Sequence, residues 1–174
     1  MKILETERLI LREIIETDDE FVLDLLNQPS FIKYIGDRNV RTIEQSREFI
    51  ENRYRQSYRV NGFGLYAVEL KSEIRNLKSQ IGICGFVKRD SLPDADIGFA
   101  FLPQFCGKGY ALESANAVMK YGRDVLGLAR VLAITSQDNE SSGRLLEKIG
   151  FKFESLIKMP PDTEELKLFS SDAQ

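Results

Sequence analysis

Asp96-Ile97-Gly98-Phe99-Ala100-Phe101-Leu102-Pro103-Gln104-Phe105-Cys106-Gly107-Lys108-Gly109-Tyr110-Ala111-Leu112-Glu113 is the stretch that decides the fold. It reads as a strand from Asp96 to Leu102, ended by Pro103, then a short loop with two glycines. A helix follows from about Tyr110 to Leu126, with Leu112, Ala115, Val118, Met119, Val125 and Leu126 at helical spacing. Glycine permits positive φ and close approach of a ligand to the backbone. Successive N–H groups at a helix start, with the positive end of its dipole, suit a pyrophosphate. Two nucleotide signatures fail on spacing. The P-loop needs Ser or Thr after its lysine, but Lys108 is followed by Gly109, and its upstream glycine is missing too. The dinucleotide fingerprint fails because Leu112 stands in its third glycine position.

Working outward, Arg8 to Ile14 reads as a first strand, followed by a capping box at Thr17 and Glu20 and a helix with Phe21, Val22, Leu25 and Leu26 on one face. That helix stops before Pro29, and an unusually apolar connection, Phe31 to Gly36, leads to a second box at Thr42 and Gln45. The helix it opens carries Ile43, Phe49, Ile50 and Tyr54. Phe63–Leu70 and Gln80–Val87 are strands flanking a polar hairpin loop from Lys71 to Ser79. Beyond the long helix, Arg130–Thr135 is a strand, Asn139–Ile149 a short helix and Phe151–Met159 a strand, with Glu165–Phe169 adding another. Hairpins followed by a strand–helix–strand–helix unit predict an α/β sheet of mixed direction. The 174 residues fit a single domain over 1–174.

Composition narrows the chemistry. The chain has no histidine, which excludes a Ser-His-Asp or Cys-His unit and any His-ligated metal. The 24 Lys and Arg against 27 Asp and Glu give no basic footprint for nucleic acid. No apolar run approaches the about 20 residues of a membrane span, and Lys2-Ile3-Leu4-Glu5 is not an apolar signal segment. Cys84 and Cys106 read as reduced thiols of a cytoplasmic protein.

The loop resembles the pyrophosphate loop of the GNAT superfamily of acetyl-CoA-dependent N-acetyltransferases, whose [Q/R]-x-x-G-x-[G/A] pattern is met by Gln104, Gly107 and Gly109. Thr6–Arg12, Asp96–Phe99, Gly107–Glu113 and Asn139–Phe151 look like its RimJ/RimL-type branch, named for enzymes that acetylate N-terminal amines of ribosomal proteins. The resemblance runs from Leu4 to about Lys158. It implies a single mixed, mostly antiparallel twisted sheet with helices on both faces and a bulged central strand splayed from its neighbour. Acetyl-CoA is the implied cosubstrate, with no metal. Ala100, Phe101, Leu102, Gln104, Gly107, Lys108, Gly109, Tyr110, Ala111 and Asn139 are the implied cofactor contacts, an amide near Phe101 or Leu102 polarising the thioester carbonyl.

Alternatives stay open at several of these positions. Lys108 is either a phosphate contact or a solvated loop lysine, and Asn139 binds pantetheine, caps its helix, or does both. Many relatives place a tyrosine acid where this chain has Leu146, so the resemblance passes proton donation to Ser142, whose plainer reading is a packed helix-face serine. Asp96 stands where a glutamate base is common; the alternative is an exposed hairpin charge. Phe31 and Tyr34 are expected to line the acceptor pocket, although Tyr34 also suits a packed core position. The expected activity is transfer of acetyl to a primary amine, either a protein N-terminus or a small molecule. A non-catalytic acyl-CoA-binding sensor of the same fold is the alternative, and a monomer or homodimer is expected.

Overall fold

The computed structural model describes residues 1–71, 80–160 and 164–172. Most of the expected hairpin loop after Lys71 therefore lies outside the described residues. The elements in chain order are β1 (Lys2–Glu5), β2 (Leu9–Glu13), α1 (Asp19–Leu26), α2 (Pro29–Tyr34), α3 (Ile43–Phe49), α4 (Gln56–Asn61), β3 (Leu65–Leu70), β4 (Gln80–Val87), β5 (Asp96–Phe101), α5 (Tyr110–Asp124), β6 (Arg130–Ser136), α6 (Glu140–Lys148), β7 (Lys152–Lys158) and β8 (Glu165–Asp172). The strands form one sheet in the order β1-β2-β3-β4-β5-β6-β8-β7. All neighbours are antiparallel except β5 and β6, so the sheet is mixed and mostly antiparallel as expected. The tail strand enters between β6 and β7. No helix among the described residues is long and apolar enough to cross a membrane.

Each face of the sheet buries a core. On one, Leu9, Leu11, Tyr66, Val68 and Phe86 meet Ala115 and Val118 of α5 and Leu146 of α6. On the other, Ala67 and Ile83 meet Phe21, Val22, Leu25 and Leu26 of α1 together with Phe31, Ile50 and Tyr54. Ile81 and Ile83 belong to opposite cores although residues two apart on a regular strand share a face. The register explains it: Val68 faces Gly82 while Glu69 faces Gln80, leaving Ile81 as the extra residue of a bulge. On its other edge β4 keeps its register with β5, and the Ile81 carbonyl continues that ladder by accepting the Leu102 N–H at 2.9 Å, which ties down the end of β5.

Several local expectations change. Thr17 and Glu20 do not form a capping box; Glu16–Asp18 is a 3-10 turn. Asp18 takes the capping role because its carboxylate reaches back to the Ile15 N–H at 2.8 Å and is itself gripped by both Arg12 guanidinium nitrogens at 2.7 Å. The apolar connection is helical, with Pro29 in the first turn of α2, where a missing N–H costs nothing. The Thr42–Gln45 box forms as expected. Its helix continues through a π-helical stretch, Ile50–Arg55, into α4. β1 has no counterpart in the sequence reading.

Gly85→Ala tests the β3–β4 contact. Its new Cβ would lie 2.1 Å from the Gly64 carbonyl oxygen, which is backbone and cannot swing away. Overpacking of this kind costs about 1–3 kcal/mol. Thermal unfolding should therefore show a melting point roughly 3–10 °C below wild type.

Candidate active site: a strand fork and a glycine loop

The parallel pair β5–β6 has a single register contact, Asp96 opposite Leu132, reinforced by the Leu132 N–H to the Ala95 carbonyl at 2.9 Å. Beyond it the strands separate, while β5 stays fully paired to β4 from Val87↔Asp96 to Gly82↔Phe101. The divergence is thus on the β6 side rather than an interruption of the β4–β5 ladder. Backbone groups of successive strand residues point to opposite edges. Leu102 gives its N–H to Ile81 on β4, so Ala100 and Leu102 face β4, and Phe99 and Phe101 face the gap. Leu102 is therefore corrected as an amide donor to a ligand, because its N–H is already bonded; Phe101 keeps that possibility. On β6 the same alternation from Leu132 turns Ile134 and Ser136 toward the gap.

The open end of the fork runs into the glycine loop. A 3-10 turn, Pro103–Phe105, leads through Cys106 to Gly107 at φ +73° and Gly109 at φ +81°, and Gly109 is the N-cap of α5. Both glycines occupy the left-handed region that disfavours a Cβ. A Cβ at Gly107 would meet no atom within 4 Å, so space is open above the loop. No side chain caps α5, whose first N–H groups lack intrahelical acceptors. Gln104 and Lys108 are exposed, and the Lys108 ammonium lies 5.7 Å from the centre of the Phe105 ring. Tyr110 is half-buried under the Arg8 guanidinium, 4.5 Å from its ring centre, and Ala111 is half-buried in the first turn.

Glu113 fixes this loop, a role the sequence reading did not assign although it quoted both segments involved. Its carboxylate accepts from the Thr6 hydroxyl at 2.6 Å, the Arg8 N–H at 2.9 Å and Arg8 Nε at 2.6 Å. Arg8 Nη1 then donates to the Lys108 carbonyl at 3.1 Å. Burial pushes the Glu113 pKa up, but the bonds from Thr6 and Arg8 outweigh it and the net shift is downward.

Across the fork, Asn139 caps α6, its Oδ1 accepting the Ser142 N–H at 3.2 Å. The capping reading of Asn139 is therefore observed, and Ser142 sits in the first turn with its hydroxyl free of that bond. Leu146 is packed at 1 % exposure in the core. Asp96 is not an exposed hairpin charge: it is 1 % exposed, with Oδ1 2.9 Å from Arg89 Nε. Its burial raises the carboxyl pKa despite the opposing pull of Arg89. It stands at the closed end of the fork, five residues and roughly 16 Å along the strand from Phe101. Phe31 is buried in the second core, whereas Tyr34 is half-buried beside Lys33, whose ammonium bridges α2 to the β6–α6 loop through Asp138 at 2.9 Å. Cys84 is buried with its thiol pushed up to about 12 by desolvation, and Cys106 is exposed; both are free. Among the described residues no group of three His, Cys, Asp or Glu could hold a metal ion.

Glu113→Gln should keep the fold and loosen the loop. With Arg8 44 % exposed, the loss at pH 7 is about 1 kcal/mol after allowance for solvent screening, or roughly 3 °C in melting temperature. A depressed folded pKa contributes stability that is fully present above the unfolded value of about 4.3 and is lost as pH falls through the folded one. The melting temperatures of variant and wild type should accordingly draw together as the pH falls below the unfolded value of about 4.3 and Glu113 takes up its proton.

A family profile described as "Acetyltransferase (GNAT) domain" matches residues 8–152. The Bacillus subtilis protein YoaA, named an uncharacterized N-acetyltransferase, is 35% identical over 90% of this chain and 86% of its own length. The spermidine N(1)-acetyltransferase of Escherichia coli K12 is 27% identical over 83% of this chain and 73% of its own. A crystal structure of a GNAT-family acetyltransferase from Bacillus anthracis superposes with TM-score 0.79 over 99% of both chains at 29% identity. The strand fork, the glycine loop at an uncapped helix start and these matches together place the chain in the GNAT family of acetyltransferases.

Proposed function

We propose that the protein transfers acetyl from acetyl-CoA directly to a primary amine, as an enzyme of the RimJ/RimL type. The observation that carries this reading is the continuity of the β5–β6 gap with the Gly107–Gly109 loop, an extended slot ending in an anion site. The residues fit the cosubstrate: free N–H groups at the start of α5 for the pyrophosphate, open space over Gly107, and unpaired strand edges for an amide-bearing arm. Acetyl-CoA supplies an activated thioester when bound there. The Phe101 amide, turned into the gap, is the donor for the developing oxyanion. Asn139 orients α6 so that the Ser142 hydroxyl donates a proton to the departing sulfur. Asp96 shares the face of Ala100, and its distance of roughly 16 Å along the strand from Phe101 routes any proton transfer through water. A peptide N-terminus, with a pKa near 8, needs little base. Tyr34 and the neighbouring Phe31 shape the acceptor side. The acceptor is a peptide N-terminus or a small cationic amine; the spermidine-acetylating relative supports the latter class.

Thiol release from acetyl-CoA, measured against N-terminal peptides of ribosomal proteins, spermidine, aminoglycosides and free amino acids, tests the activity. Binding without release with any amine would favour the acyl-CoA sensor instead. Gly107→Leu should weaken acetyl-CoA binding more than about tenfold while the left-handed strain, about 1–2 kcal/mol, lowers the melting point by only about 2–8 °C. Retained affinity would sink the loop assignment. Ser142→Ala keeps the N–H that Asn139 caps. It should therefore lower kcat on the order of 100-fold at unchanged acetyl-CoA affinity; full turnover would remove Ser142 as the acid.

A further inference from the structure

The buried Thr135 Oγ1 lacks a hydrogen-bond partner among the described residues, whereas the adjoining Ser136 hydroxyl bears on the Asp138 carboxylate. Both residues lie on β6 beyond the Leu132 contact, where β5 has left. Continuing the parallel register from Asp96↔Leu132 puts Thr135 level with Phe99 across the gap. Thr135 shares the face of Val131 and Ala133, which pack in the core beneath α5 and α6, and it is 8 % exposed. A hydroxyl buried there without a partner is a cost that valine, of nearly the same shape, would avoid.

We infer that the Thr135 hydroxyl is a ligand for the sulfur-bearing end of the pantetheine arm, so that β6 as well as β5 holds the reacting end of acetyl-CoA. This rests on the acetyl-CoA reading above. An arm anchored by its pyrophosphate at Gly107–Gly109 enters the fork from the open end and carries its sulfur deepest, toward Leu132. Thr135 is three residues from that vertex, roughly 10 Å. The hydroxyl is sealed from water, so the bond forms as the arm parts the strands and Thr135 turns about χ1. Threonine then gains in the complex the partner that it lacks in the free protein, a balance expected of binding sites.

The test compares wild type, Thr135→Val and Thr135→Ser by calorimetric titration with acetyl-CoA and with adenosine 3′,5′-bisphosphate, which lacks the arm. Melting of the free proteins is measured alongside. The valine variant should bind acetyl-CoA about 3- to 10-fold more weakly, bind the bisphosphate as wild type does, and melt at or above the wild-type temperature. Serine should restore acetyl-CoA affinity to within about twofold. Unchanged acetyl-CoA affinity in the valine variant overturns the inference and leaves the proposed activity standing. A valine variant that melts several degrees lower and weakens both probes alike also overturns it, because the hydroxyl would then be a structural bond of the free protein. Wild type that binds no acetyl-CoA defeats the proposed activity and this inference together.

Discussion

The sheet depends on one short contact. Asp96 opposite Leu132, with the Leu132 N–H on the Ala95 carbonyl, is the only place among the described residues where its two halves are joined by a parallel pair. On either side the strands are antiparallel and amply paired, so neither half needs that contact for its own integrity. Backbone groups left unpaired in a protein interior are costly, and native structures rarely leave them so. A fork whose walls present Phe99 and Phe101 on one side and Ile134 and Ser136 on the other is therefore a ladder awaiting a strand. A chain carrying amides at strand-like spacing can complete it.

What keeps the opening in place is packing elsewhere. The β4–β5 ladder runs on past Gly82↔Phe101 to the Ile81 carbonyl and the Leu102 N–H, and so pins the end of β5 against β4. From there the chain must reverse into α5 within a few residues, and the positive φ of Gly107 and Gly109 makes that reversal possible. Glu113 then connects the first turn of α5 to the β1–β2 turn through Thr6 and Arg8, and Arg8 returns to the Lys108 carbonyl. The loop is thereby held from outside by the sheet edge. The Phe105 and Cys106 N–H groups are spent within the 3-10 turn, whereas no side chain caps the start of α5.

The sequence revealed the parts whose causes are local. The glycine pair, the Thr42–Gln45 box and the long amphipathic helix each follow from residues within a few positions of one another, and each is present. Family resemblance, rather than periodicity, supplied the splayed strand. What escaped depends on residues distant in the chain. Glu113 meets partners more than a hundred positions away, and no pattern around it marks that clamp. Thr17 and Glu20 have the spacing of a capping box, but Arg12 organises Asp18 first and the turn tightens around that carboxylate. Of the two readings of Asp96, a base or an exposed hairpin charge, the second fails because the strand it begins carries it inside to Arg89. The Thr135 hydroxyl is invisible to sequence reasoning, because threonine is an ordinary strand residue until its missing partner is seen.

The absence of histidine gains a structural meaning in this setting. A group that titrates near neutrality would have to sit in the fork in one charge state or the other, and a charged side chain there would face uncompensated burial. Hydroxyls avoid the difficulty, since they donate and accept without changing charge. The strands that flank the gap follow that rule, with the hydroxyls of Thr135 and Ser136 on β6 and backbone amides on β5, and Ser142 lies in the first turn of α6, the helix that follows β6. The carboxylate of this region, Asp96, is kept at the closed end with its own arginine. Neutral donors stabilise a developing thiolate and oxyanion in proportion to their alignment rather than their acidity, so on the proposed acetyl-transfer reading the burden of catalysis would fall on how firmly β5, β6 and α6 are held around the arm.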